Sequence, residues 1–205
     1  MPHLRGYPMA LGAFKYVFCI LFFGLAAPQN PTSMNNSAVI IPIGGIDRAT
    51  LDNLATILGK RFNLPFKVEV PMEIPDYAFN SDRGQYNSND VLKELRRYKK
   101  RRVLGIIDRD LYVPELNFVF GQADLQGQCA LISTIRLRQE FYGLPEDDKI
   151  FFERTVKEAV HELGHTYGLR HCSNSKCVMF FSNSLPDTDR KESSFCKSCL
   201  KEPAE

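Results

Sequence analysis

An α/β (α+β) domain, with strands and helices alternating along the chain, is what three features of the sequence predict. β-Branched apolar runs stand at 38–43 and 103–107, apolar residues recur at helical spacing within 47–58 and 151–167, and 44% of the 205 residues are hydrophobic. The short Val/Ile-rich runs fit buried strands, and the helical spacing fits faces packed on them. A chain of this size and apolar content can bury one sizeable core.

The elements follow in order. Ala38–Ile43 reads as a buried strand, after which Asp47 can cap a helix whose apolar face is Leu51, Leu54, Ala55 and Leu58. Phe66–Val70 reads as a second strand. The stretch 76–89, rich in Asn, Ser, Asp and Gly, predicts a mobile surface loop, followed by a basic helix over 90–101. Val103–Ile107 fits a central strand, and Asn117–Phe120 and Cys129–Ile135 read as two strands around a turn over 121–127. A long helix is expected from about Phe151 to Tyr167, burying Phe152, Val156, Val160 and Leu163.

Net charge, +2, gives no broad basic field of the kind nucleic-acid binders show, so no nucleic-acid partner is expected. The local run Lys93–Arg102 is read as the solvated face and last turn of a helix, with an anion-binding patch as the alternative. Residues 1–33 are expected to be a disordered extension or leader. The apolar stretch Phe14–Ala27 behind Arg5 and Lys15 superficially resembles a secretory signal, yet it is short for a membrane span, and cleavage after Ala27 would leave Pro28 at the new terminus. No stable membrane insertion is expected, and a cytoplasmic location is favoured over export.

Three of the four histidines lie in one eleven-residue stretch, His161-Glu162-Leu163-Gly164-His165-Thr166-Tyr167-Gly168-Leu169-Arg170-His171. On a helix His161 and His165 are turned by roughly 40° and stand about 6 Å apart along the axis, so both imidazoles can grip one ion. Gly168 lets the chain leave the helix through a left-handed turn and bring His171 back as third ligand. A fourth position stays open for water, and Glu162 is placed to take that water's proton rather than to bind the metal. Cys172, Cys177, Cys196 and Cys199 form a C-x4-C-x18-C-x2-C pattern suited to tetrahedral thiolate binding of a second, structural zinc. A pair of disulfides is the alternative and needs an oxidising compartment. Cys19 and Cys129 have no partner at motif spacing.

The pattern HExxHxxGxxH followed by a downstream Met resembles the metzincin metallopeptidases. More narrowly, Cys172 directly after His171, Cys177 two residues before Met179, and Cys196-Lys197-Ser198-Cys199 resemble the archaemetzincins, as do Ile41-Pro42-Ile43-Gly44 and the run Leu104–Phe120 with its Asp-Arg-Asp-Leu-Tyr-Val-Pro core. The resemblance implies a twisted, mixed five-stranded sheet with helices, the active-site helix below it and a small zinc-bound C-terminal subdomain. It implies division at 34–171 and 172–205, Met179 as the Met-turn residue, two zinc ions, and hydrolysis of a peptide or protein substrate laid antiparallel to an edge strand. A monomer is expected. Some metzincins steady the oxyanion with a Tyr after the Met-turn, where this chain has Phe180 and Phe181; Tyr167 and Tyr112 are the remaining candidates. The competing function class is a non-catalytic two-zinc module binding a protein or nucleic acid. Glu162 argues against it, because a purely structural site needs no base.

Overall fold

Why the first strand is buried on both faces is clear from its neighbours. In the computed structural model, which describes residues 37–98, 102–125 and 127–201, β1 (Ala38–Ile43) pairs in parallel with β2 (Phe66–Val68) on one side and β5 (Arg102–Ile107) on the other. Beyond β5 lies β8 (Cys129–Ser133), also parallel, and then antiparallel β7 (Gly121–Ala123) at the edge, so the mixed five-stranded order is β2-β1-β5-β8-β7. These residues lie in one compact unit, Pro31–Glu205. The expected leader and Cys19 fall outside the described residues.

The two-residue period of the strands sorts the core into two layers. Ile40, Leu104, Ile106, Ala130 and Ile132 point one way, against Leu51, Leu54 and Leu58 of α1 (Arg48–Phe62) and Val156, Ala159, Val160 and Leu163 of α3 (Asp148–His165). Val39, Ile41, Val103, Ile107 and Leu131 point the other way, against Val91, Leu92 and Leu95 of α2 (Ser88–Leu95). Burying each such Leu or Ile contributes about 1.5–3 kcal/mol.

Helix starts follow the expected capping chemistry: Asp47 accepts from Ala49 N and Thr50 N, Asn87 from Asn89 N, and Asp147 from Ile150 N. Three sequence expectations change. The stretch 76–89 is not a bare loop: after a 3₁₀ turn at Asp76–Ala78 it forms the hairpin of β3 (Phe79–Asn80) and β4 (Gln85–Asn87), and β4 pairs in parallel with β6 (Leu111–Tyr112). Polar composition hid this, because strands of two or three residues carry too little alternation to read. The basic helix starts earlier and ends at Leu95, with Arg96 bound to Asp124 and Arg97 to Glu94 on a solvated face, whereas Arg102 belongs to no helix: it opens β5 and donates to Thr166 O at 2.7 Å; Lys99–Arg101 lie outside the described residues. Finally, 117–120 is irregular apart from one bridge, Leu111 to Val119, and the strand lies in what read as a turn, at Gly121–Ala123. Glycine and Gln-Ala have weak strand propensity, so pairing with β8 overrides the local signal. The chain closes with α4 (Leu185–Arg190) packed on α3. No helix among the described residues is long and apolar enough to cross a membrane.

Candidate metal centre and active-site cleft

Helix α3 carries His161, Glu162 and His165 inside the core, and its end delivers the third imidazole. Gly168 adopts the left-handed conformation (φ 83), with Gly168 N donating to His165 O at 2.9 Å and Leu169 N to Gly164 O at 3.2 Å. That pair of bonds ends a helix on a left-handed glycine and reverses the chain, so His171 faces the helix it has just left. His165 Nε2 then lies 3.1 Å from His161 Nε2 and 3.2 Å from His171 Nε2.

These distances are those of a shared ligand shell. Zn–N bonds of about 2.0–2.1 Å in a tetrahedron place nitrogens about 3.3–3.4 Å apart. His161 Nδ1 donates to Val178 O and His165 Nδ1 to Leu169 O, both at 2.7 Å, a tautomer assignment that follows from the carbonyl partners. Each Nε2 therefore presents a lone pair to the same point, an arrangement that repels unless a cation occupies it, and the backbone carbonyls orient both rings. The residues present fit zinc.

Burial keeps the ligands neutral. It lowers the His161 pKa well below the ordinary 6.5, with Lys191 adding to the effect, and lowers His165 to about 4. His171 is shifted the same way, again chiefly by burial. A lowered pKa in the folded chain favours the unprotonated, ligand-ready form, so protons compete with zinc only well below 6.5. With the histidine-bound metal alone removed, an NMR titration is expected to show His165 taking up its proton near pH 4. A His165 transition at pH 6.5 would show a solvated ring instead.

Glu162 is 5% exposed, and desolvation first, then the nearby Glu158 carboxylate, raises its pKa well above 4.5 while Lys191 opposes. Edge strand β7 passes directly over it. A Cβ at Gly121 would stand 2.5 Å from Glu162 Cγ and 2.6 Å from Oε1, so no side chain fits there without moving the carboxylate. The sequence reading placed Gly121 in a turn and missed this role; only the strand's path reveals it. Gly121→Ala is expected to keep fold and zinc content while lowering kcat/KM by about 10- to 100-fold, the effect of a shift near 1 Å beside a reacting centre. An unchanged rate would show that Glu162 has room to spare.

Glu158, one turn earlier on α3, is also buried. Thr188 Oγ1 donates to its Oε1 at 2.9 Å, and Lys191 Nζ lies 3.0 Å away, off the line of a good hydrogen bond, with side-chain exposures of 0% for Lys191 and 3% for Glu158. Arg154 makes a two-pronged pair to Asp189 at 2.7 and 2.8 Å. Both pairs fasten α4 and the chain after it to α3. A buried lysine without its carboxylate would be costly, so this pair is a strong constraint on the geometry. Neither partner stood out in the sequence, because single charges at unrelated spacing carry no motif.

Met179 is fully buried, its Sδ 2.5 Å from where a Cβ on Gly164 would stand. Its carbonyl accepts from Cys172 N at 2.9 Å, and the preceding carbonyl is the one that orients His161. The thiols of Cys172, Cys177, Cys196 and Cys199 lie within 4.8 Å of one another, with Cys172 to Cys196 at 3.8 Å and Cys177 to Cys199 at 3.7 Å. Zn–S bonds of about 2.3 Å in a tetrahedron predict about 3.8 Å between sulfurs, whereas a disulfide needs about 2.05 Å. All five cysteines among the described residues are unbridged. Backbone N–H groups, Cys199's foremost, lower the Cys196 thiol to about 6, while burial raises Cys199. Cys129 stands apart, 5% exposed and raised by burial to about 11, an inert thiol.

Beside Glu162 opens a cleft of about 200 Å³, walled by Leu116–Gly121 on one side and Phe181, Ser182 and Asn183 on the other, with Glu158, His161 and Glu162 at its base. Phe181 packs on His171 with ring centroids 4.8 Å apart. Neither candidate tyrosine lines the cleft: Tyr167 stacks on Phe62 under Arg102, and Tyr112 accepts from Asn80 beneath Arg83.

Residues 45–204 match the family model described as Peptidase family M54. The chain is 46% identical to an archaemetzincin of Methanocaldococcus jannaschii over 165 residues, covering 79% of this chain and 89% of that protein. Among solved structures it is similar to archaemetzincin from Archaeoglobus fulgidus, with TM-score 0.71, 41% identity, and 80% and 98% of the two chains covered. It is also similar to a zinc-dependent peptidase from Methanocorpusculum labreanum, with TM-score 0.73, 30% identity and the same coverages.

Proposed function

Because this chain belongs to peptidase family M54, alongside the archaemetzincins, and is a zinc metallopeptidase, we propose that Glu162 is the general base of peptide hydrolysis at a zinc ion held by His161, His165 and His171. Zinc bound there supplies Lewis acidity towards a water and a peptide carbonyl. The observation that carries the reading is the placement of one buried carboxylate between the three convergent imidazoles and the free edge of the sheet.

The chain's own groups supply the rest. Desolvation raises Glu162 towards the range where a carboxyl group can take a proton near neutral pH and return it to a leaving amine. Among the described residues strand β7 is paired on one side only, by β8, so its outer edge can hold an extended substrate by backbone hydrogen bonds. Glu158 is engaged by Thr188 and Lys191, which leaves Glu162 as the carboxylate free to act. Cys172, Cys177, Cys196 and Cys199 hold a second zinc with a structural role. Its sulfur cage shares the dipeptide His171-Cys172 with the first site and so fixes the third histidine.

The test is mass-spectrometric profiling of a diverse peptide library with the zinc-loaded protein beside its Glu162→Gln variant. Cleavage by the parent alone supports the assignment and reads out subsite preference and end-dependence. Equal cleavage by both would remove Glu162 from the mechanism, and cleavage by neither, with two zinc ions bound, would leave the peptidase reading without support.

A further inference from the structure

One wall of the cleft is irregular, held by backbone only at its far end, where Val119 N donates to Leu111 O at 2.9 Å. Between β6 and β7 the segment Leu116–Phe120 faces Glu162, and a loop at that place needs its carbonyls satisfied from outside. Those of Leu116 and Asn117 are satisfied by side chains, and that of Phe120 by the backbone Ser133 N at 2.8 Å. Arg83 Nη2 donates to Leu116 O at 2.9 Å and to Asn117 O at 3.0 Å, while its Nε donates to Gln85 Oε1 at 2.9 Å. The Gln85 amide nitrogen donates to Asn117 O and to Asp110 Oδ2, each at 2.9 Å. Asp110 in turn receives both prongs of Arg136, at 2.6 and 2.7 Å, and the Arg136 guanidinium lies 4.3 Å over the ring of Phe118.

The four side chains thus run as one network from the hairpin β3–β4 to the aromatic face of the wall, and none of them lines the cleft. Asp110 belongs to the Asp-Arg-Asp-Leu-Tyr-Val-Pro stretch, which the metal sites leave without a role. The cleft that the wall bounds, about 200 Å³ with Phe118, Phe120 and Phe181 around it, is smaller than the roughly 300–1,000 Å³ of small-molecule pockets and suits a single side chain. Of the two carboxylates at its base, Glu158 is paired with Lys191, which lies outside the lining, and Glu162 is the proposed base, so selection of a side chain falls to the three phenylalanine rings.

We propose that Arg83, Gln85, Asp110 and Arg136 are positioning residues that hold the Leu116–Phe120 wall in place and thereby make the cleft select one large apolar side chain of the peptide substrate. The inference rests on the metallopeptidase reading for its substrate. Apolar pockets discriminate by roughly 10- to 200-fold per methylene only while their walls stay rigid.

Arg83 is exposed, so Arg83→Ala tests the network without threatening the fold. Two quantities are measured: hydrogen exchange of the backbone over 115–120, and kcat/KM for two peptides that differ only in Phe or Ala beside the cleaved bond. With zinc content and melting temperature retained, exchange is expected to quicken and the Phe-over-Ala preference to fall about tenfold, mostly through KM. Arg83→Lys, whose ammonium can still donate to both carbonyls, is expected to restore part of the preference. Unchanged exchange overturns the clamp, whether or not the parent cleaves peptide. Quickened exchange with an unchanged preference, or with equal losses on both peptides, overturns its part in selection. A parent that cleaves neither peptide fails the peptidase reading instead, and exchange alone then decides the clamp.

Discussion

Replacing Glu162 with glutamine is expected to lower kcat/KM by about 10²–10⁴-fold, the usual contribution of a positioned general base, with zinc content and melting temperature unchanged. Glutamine keeps the volume that β7 covers, so Gly121 need not move and the histidines keep their partners at Val178 and Leu169. What goes is the capacity to accept a proton. No neighbour can take over, because Glu158 is already bound by Thr188 and Lys191. Steady-state rates on a peptide found by library profiling, together with metal analysis of both proteins, check the expectation. A variant within a few-fold of the parent would place the base elsewhere.

Cys199→Ser should act on the fold itself. A structural zinc is worth about 10–16 kcal/mol, which matches or exceeds the roughly 5–15 kcal/mol that holds a typical domain together. Val178, between Cys177 and Met179, supplies the carbonyl that orients His161, and His171 precedes Cys172, so loosening the sulfur cage loosens two of the three clustered histidines as well. The expected result is a zinc count reduced from two towards none, early proteolysis over residues 172–201 and loss of peptidase activity together. Thermal unfolding and metal analysis measure it. Retention of two zinc ions with an unshifted melting temperature would show that Cys199 is no ligand.

Legibility differed sharply between elements. The spacing of His161, His165 and His171 and of the four cysteines could be read directly, since helical geometry and metal coordination both act over a few residues. Strand β1 and helix α1 were equally plain, with a clean apolar run and a capped periodic face. The hairpin over 79–87 and the edge strand Gly121–Ala123 were not, because their short, polar or small residues become strands only through partners distant in sequence. Likewise the candidate oxyanion tyrosines could be named but not placed, and the structure puts both away from the cleft.

What the sequence alone determined about this protein is its family and its zinc-peptidase class, and it also supplied the proposed ligands and the proposed base, each carried by residues at fixed local spacing. The tertiary structure decided what lies against that chemistry: Gly121 over Glu162, the buried pair of Glu158 and Lys191, and the wall tied down by Arg83, Gln85, Asp110 and Arg136. These contacts join residues 26 to 41 positions apart, and no helical or strand period reaches so far. Long-range pairing is set by how the sheet orders its strands and packs α3 beneath them, a choice made by burial of the whole core rather than by any segment.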